Sequence, residues 1–262
     1  MGATTISWCD HSINPIRARQ LSTGRMGHYC EKISPGCKNC YSSRLQTRFG
    51  MPEFHTKYHG DVEPFLDRMR FEEVLRRRKP TKYFWCDMTD IFGDWVPDIW
   101  LLEIFDVMRQ SPHHTHMVLT KRPERMADFC QRLRWDDTYQ ESQPRHLPLE
   151  YRTTCGGGVL WLADDADGPG YRLMGGNGCE GMPWVWMGVS VESREHLARL
   201  DYLRDTPAAV RFVSFEPLLE DLGDIRRYLP IPGCVHFPGQ ESCSVCRTQK
   251  RGDISWIIVG GE

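Results

Sequence analysis

The chain has 262 residues, with 33 basic against 35 acidic side chains and a formal charge of −2, so no global positive field marks it as a polybasic nucleic-acid binder. A hydrophobic content of 40% and an aromatic content of 11% exclude a disordered protein. The N-terminal MGATTISWCD has no basic segment followed by an apolar one, and no run approaches the ~20 apolar residues of a membrane span, so a cytoplasmic location without membrane contact is expected.

Taken in chain order, the apolar runs predict strands at Thr5–Trp8, Tyr83–Cys86, His116–Leu119, Trp184–Val189, Val210–Val213 and Trp256–Val259. Several are too continuously apolar for a sheet with one wet face, which is the look of parallel strands covered on both sides. Helical patterns lie between them at Pro64–Arg78, Pro97–Gln110, Pro123–Arg134 and Ser193–Arg204, two of them opening on a proline whose missing N–H costs nothing in a first turn. Strands alternating with helices give βαβ units. The expected architecture is one α/β domain over 1–262, a parallel-stranded partial TIM-type (β/α)6 barrel. A Gly/Cys-rich segment, 135–183, interrupts the pattern and reads as an inserted lid, because a structureless loop of that length is uncommon. A second irregular stretch, 230–252, carries cysteines. The basic run Arg76–Lys79 reads as a solvated helix end.

The residues just past the strands are polar: Asp87 and Asp90, Lys121 and Arg122, Ser190 and Glu192, Ser214 and Glu216. Parallel strands place their carboxyl ends on one rim, where ligands bind. These eight are therefore the candidate cofactor-binding residues, with Lys121 and Arg122 suited to a carboxylate or phosphate.

Eleven cysteines in a chain without an export signal read as reduced thiols or metal ligands. Cys30, Cys37 and Cys40 form a C-x6-C-x2-C arrangement with Pro35-Gly36 supplying the turn. Three thiolates leave one iron of a [4Fe–4S] cluster open to a ligand, whereas a structural zinc is closed by four; Cys9 or His28 would close a zinc site here. Cys234, Cys243 and Cys246 form a second set, with His236, Cys155 and Cys179 as candidate completions. A closed zinc site is the first reading of that set and an auxiliary iron–sulfur cluster the second. Cys86 and Cys130 fall within a strand and a helix pattern and read as core.

The segments Ile13-Asn14-Pro15, Ser34-Pro35-Gly36-Cys37-x-x-Cys40-Tyr41, Asp90 to Pro97, Leu119 to Met126, Gly188 to Glu192, Glu216-Pro217-Leu218 and Val259 to Glu262 together resemble a phage-associated family of unknown function whose members look like radical S-adenosylmethionine (SAM) proteins. The resemblance implies that Cys30, Cys37 and Cys40 hold a [4Fe–4S] cluster. It implies that SAM chelates the open iron, and that one electron from a reductant protein cleaves SAM to a 5′-deoxyadenosyl radical that abstracts a hydrogen. The substrate is unassigned; a nucleotide or nucleic acid is the associated class. Two departures stand out. The first cysteine spacing is six residues where three is commonest, and Asn39 occupies the place of the usual aromatic, with Tyr41 following Cys40. Gly260-Gly261-Glu262 also lies at the last strand, not the second. The resemblance further implies a helix and strand beyond Glu262, so a truncated barrel, or one completed by another polypeptide, is expected. The competing expectation is a non-catalytic, zinc-stabilised module that binds nucleic acid or protein.

Overall fold

The computed structural model describes residues 4, 6–55, 60–136, 159–162, 179–229 and 254–260. The first half runs β1 (His11–Ile13), β2 (Ile16–Gln20), β3 (Met26–Gly27), α1 (Tyr41–Arg48), β4 (Val62–Leu66), α2 (Met69–Arg76), β5 (Lys82–Trp85) and α3 (Asp98–Gln110). The second runs β6 (Thr115–Thr120), α4 (Pro123–Arg132), β7 (Leu133–Asp136), β8 (Val159–Leu162), β9 (Val185–Ser190), α5 (Ala198–Asp205), β10 (Val210–Phe215) and β11 (Trp256–Val259).

The main sheet has six strands in the order β1-β5-β6-β9-β10-β11, and every pairing in it is parallel. This order follows the chain without reversal, so the sheet has no doubly wound switch point. Crossovers of one hand then put α2, α3, α4 and α5 on one face. The core agrees: Val74 of α2, Phe105 of α3, Phe129 of α4 and Leu203 of α5 share one cluster with Tyr83, Trp85, Val118 and Val213 of the strands. The opposite face carries a smaller, aromatic-rich cluster of Phe84, Met117, Phe212 and Ile258, joined by Trp8, Trp186 and Trp256. Both faces are thus covered, as the continuous apolar strands require. Among the described residues β11 does not pair with β1, and the sheet is open.

Four expectations change. The run Thr5–Trp8 is not the first strand: its Trp8 ring lies 4.7 Å from that of Phe84 and 6.2 Å from that of Phe212, on the face away from α2–α5, while the short β1 takes the edge position. The span 64–78 is not one helix. Its start belongs to β4, an edge strand in a small antiparallel sheet of order β3-β2-β4, where Pro64 is tolerated because it lacks a neighbour on one side. The helix over 123–134 ends at Arg132, and its last residues enter β7. Between Ser193 and Arg204 a separate 3-10 turn, Arg194–His196, precedes α5.

Of the inserted segment, β8 pairs antiparallel with β7, and Cys179 bridges to Ala208. Cys179 is buried, with its Sγ 3.7 Å from that of Cys130 on α4. Cys130 is core, as expected. Cys155, Cys234, His236, Cys243, Cys246 and the stretch 230–252 lie outside the described residues.

Candidate active-site cavity

Period-two alternation runs along each strand of the main sheet, and on the face away from α2–α5 it changes character at the carboxyl end. The rows Met117-Leu119-Lys121, Trp186-Gly188-Ser190, Phe212-Ser214-Glu216 and Ile258-Gly260 pass from apolar to polar or small. Where they do, a cavity of about 450 Å³ opens, lined by Asp87, Asp90, Lys121, Arg122, Ser190, Ser214, Glu216 and Gly260 and by all three of Cys30, Cys37 and Cys40. Trp8, Phe54 and Phe84 add aromatic wall. Seven of the eight expected rim residues therefore converge with the cysteine loop.

The eighth, Glu192, does not line the cavity. It is fully buried, takes a 2.8 Å hydrogen bond from Arg199 Nη1 and lies 3.4 Å from His196 Nε2. Burial pushes its carboxyl up, but a hydrogen bond from Ser34 and the Arg199 guanidinium outweigh this, and the net shift is downward. A Cβ on Gly36 would stand 3.1 Å from Glu192 Cδ. Glu192 is thus the floor on which the Ser34-Pro35-Gly36-Cys37 turn rests, and a glycine there permits the close approach.

Asp90 is equally committed. Its Oδ1 accepts hydrogen bonds from Phe92 N at 3.0 Å and Thr120 Oγ1 at 2.6 Å, and its Oδ2 from Lys121 N at 3.0 Å and Arg122 Nη1 at 3.2 Å. With four donors on one carboxylate, Asp90 ties the end of β5 to the end of β6 and is a positioning residue. Arg122 is 9% exposed, its guanidinium 4.7 Å over the Trp95 ring and its Nη2 3.8 Å from Glu31 Oε2. That Nη2 makes no hydrogen bond. Trp95 in turn meets Tyr29 edge-on at 4.9 Å, and Tyr29 Oη donates to Glu31 at 2.7 Å.

Asp87 is held by Asn14 Nδ2 at 2.5 Å and Tyr41 Oη at 3.1 Å, while Asn14 Oδ1 accepts from Met88 N at 3.0 Å. Tyr41 keeps part of its ring in solvent, but its hydroxyl is desolvated against Asp87, and both this and the Asp87 carboxylate push the phenol upward, so it stays a donor. Ser214 Oγ donates to Glu216 Oε2 at 3.0 Å, and a Cβ on Gly260 would collide with the other oxygen of Glu216. Cys86, the residue after β5, has φ 62°, the left-handed region that a non-glycine adopts only at a cost, and it too lines the cavity. It is buried, as the core reading expects, but it also belongs to the site.

The three cysteines are free thiols. Cys37 Sγ lies 3.6 Å from Ser34 Oγ and Cys40 Sγ 3.4 Å from Ser42 Oγ. Burial, reinforced by the Asp90 charge, pushes the Cys30 thiol up to about 12. The candidate fourth ligands stand apart: neither Cys9 nor His28 lines the cavity, and His28 Nδ1 is 3.2 Å from Ile16 O. Among the described residues no three His, Cys, Asp or Glu side chains converge to hold a single metal ion. Sequence reasoning missed Glu31, Trp95 and Cys86 as site residues. None carries a periodic or spacing signal, and only Trp95, within the Asp90 to Pro97 segment, sits in a recognisable motif.

Fold and cavity define a parallel-sheet α/β protein with a thiol-lined pocket on its carboxyl rim. Within that class the chain belongs to the family described as "Protein of unknown function (DUF5131)", which matches residues 3–262. A stretch of 83 residues is 29% identical to the thrombin-like enzyme elegaxobin-2 of Protobothrops elegans, covering 32% of this chain and 33% of that protein. The chain thus spans about a third of the length of that curated relative. Chymotrypsin-type triads are built on β-barrels, and this chain is a parallel α/β sheet, so the local identity carries no argument about activity. No solved structure matches the chain.

Proposed function

We propose that the protein is a radical-SAM enzyme whose sheet is a partial barrel, with a [4Fe–4S] cluster on Cys30, Cys37 and Cys40 and SAM in the adjoining cavity. One observation carries the reading: the three cysteines line the same cavity as the polar ends of β5, β6, β9, β10 and Gly260 after β11. The donor set fits. A cluster is larger than an ion, so its thiolates border a pocket without converging on one point, and three of them leave an iron for a ligand. The cavity, about 450 Å³, is of small-molecule size. With cluster and SAM bound, an electron from a reductant protein cleaves SAM, the chemistry that the resemblance implies.

The chain's own groups then have distinct tasks. Lys121 and Arg122 Nη2 offer positive charge to a carboxylate or phosphate. Ser190, Ser214 and Glu216 offer hydrogen bonds from the ends of the neighbouring strands β9 and β10, and Asp87 does so from the end of β5. Trp8 and Phe84 present apolar faces to a planar ring and keep water from that wall. Asp90 and Glu192 hold the cationic pair and the cysteine turn in place. A cytoplasmic setting is part of the proposal, and phage association enters through the resemblance alone.

The test is anaerobic reconstitution of the full chain with iron and sulfide. The expected result is a brown protein that yields 5′-deoxyadenosine from SAM under reduction, with colour and product lost in Cys37→Ala. A folded, colourless protein that holds only zinc overturns the reading, as does a cluster that never cleaves SAM.

A further inference from the structure

Helix α1 is inside out. Its polar Ser42, Ser43 and Gln46 are buried and satisfied, Ser43 Oγ accepting from Phe54 N at 3.2 Å and Gln46 bridging His28 N at 2.7 Å and Pro52 O at 2.8 Å. Its apolar residues Tyr41 and Leu45, with Phe49 at its end, are exposed, Phe49 at 71%. An amphipathic helix in water shows the reverse.

The segment that ends in this helix is strongly basic. Between residues 17 and 48 the chain has seven Lys or Arg against one acid, although its net charge is −2. Some of these are spent: Arg17 pairs with Asp67 and Lys32 with Glu53. Among the described residues Lys38, Arg44 and Arg48 form no ion pair, and all three are exposed. Arg25 crosses from the β2–β3 turn to donate to Gly50 O at 3.1 Å, beside Phe49. Tyr41, Arg44 and Arg48 repeat at three- and four-residue spacing, so they share one stripe of the helix. That stripe begins at the cavity, which Cys40 and Tyr41 line.

We infer that this stripe, Tyr41, Arg44, Arg48 and Phe49 with Arg25 and Lys38, is a docking surface for a single-stranded polynucleotide, which it leads toward the cavity. Spaced cations with interleaved aromatics suit a phosphodiester backbone whose bases stack on exposed rings. The cavity at the end of the stripe admits a small group and no folded domain, and a flexible linear polymer meets both demands where a globular acidic protein meets only the first. The inference deepens the proposed function by naming its substrate class, and it rests on that reading only for what happens in the cavity.

Binding is measured with the full chain by anisotropy of fluorescein-labelled 20-mers: single-stranded DNA, single-stranded RNA and the corresponding duplex. Polyglutamate serves as the acidic-polypeptide arm. Each single-strand phosphate contact contributes about 0.7 to the slope of log K against log salt, so Arg44→Ala/Arg48→Ala is expected to flatten the slope by about 1.4 and weaken binding roughly tenfold at 0.1 M salt. Phe49→Ala, at an exposed position, is expected to weaken binding about fivefold or more with the slope unchanged. The DNA and RNA arms identify the strand.

The inference is overturned by no oligonucleotide binding at low salt, by an unchanged slope in the double variant, by polyglutamate binding in place of oligonucleotides, or by duplex binding indifferent to Phe49→Ala. The double variant is expected to retain SAM cleavage. Failure of SAM cleavage in the unaltered protein sinks the proposed function and leaves the binding result standing, so the two failures are separable.

Discussion

Replacing Asp90 by Asn tests how the rim is held together. The carboxylate takes four donors, two on each oxygen, and an amide accepts on one oxygen only. The better orientation keeps that oxygen toward Lys121 N and Arg122 Nη1, because the Thr120 hydroxyl can turn to accept while Phe92 N cannot. The variant then loses one backbone hydrogen bond, about 1–2 kcal/mol with the amide left unpaired. It also removes the carboxylate charge from a buried guanidinium, for which one-sided removal costs about 3–5 kcal/mol in a fully dry site. Glu31, 3.8 Å from Nη2, remains and reduces that second cost. A total of about 3 kcal/mol follows. Urea unfolding is expected to show a lower midpoint at unchanged m-value, and Arg122→Met is expected to recover part of the loss in the double variant, since it removes the stranded charge. A variant within about 1 kcal/mol of the unaltered protein, or strict additivity of the two substitutions, would refute this account of Asp90.

Two further outcomes follow from contacts in the same region and below it. Gly260→Ala places a methyl group against Glu216 and is expected to lower Tm by several degrees, with Glu216→Ala in the same chain restoring most of it; no recovery would show that the clash lies elsewhere. His116 is buried, accepts from Trp85 Nε1 at 3.0 Å, and burial lowers its pKa from 6.5 to about 3. Because the unfolded chain takes up a proton that the folded one refuses, stability is present above about pH 6.5 and is lost as pH falls from there toward 3, at up to about 1.4 kcal/mol per pH unit. His114 is lowered too, so His116→Gln should remove part of the slope between pH 6.5 and 5; an identical slope counts against His116.

Strands of the main sheet were legible where burial on both faces leaves a continuous apolar run. Trp256–Val259 coincides with β11, and Tyr83–Cys86, His116–Leu119, Trp184–Val189 and Val210–Val213 overlap β5, β6, β9 and β10. The first strand was obscured because Ile6 and Trp8 are apolar for a tertiary reason, covering the sheet, while β1 is only three residues long. Helix α1 was illegible because its pattern is reversed: a rule that buries apolar residues reads Tyr41–Arg48 as loop. Pro64 was misread because proline suits an edge strand as well as a first helical turn. The rim residues were visible as polar ends of apolar strands, but which carboxylates are free was not. Asp90 and Glu192 look alike in one dimension; in the fold Asp90 meets donors some thirty residues on, at Thr120, Lys121 and Arg122, while Glu192 pairs with the nearby Arg199 and His196.

The hairpin of β7 and β8 also bears on how this chain can vary. Asp136 and Val159 sit directly opposite each other in register, so the chain leaves and re-enters this hairpin at neighbouring positions. Since closing a longer loop costs only ~0.6 kcal/mol per doubling of length, this position is a socket. A two-residue turn or a whole reporter domain grafted between Asp136 and Val159 is expected to leave the six-stranded sheet folded.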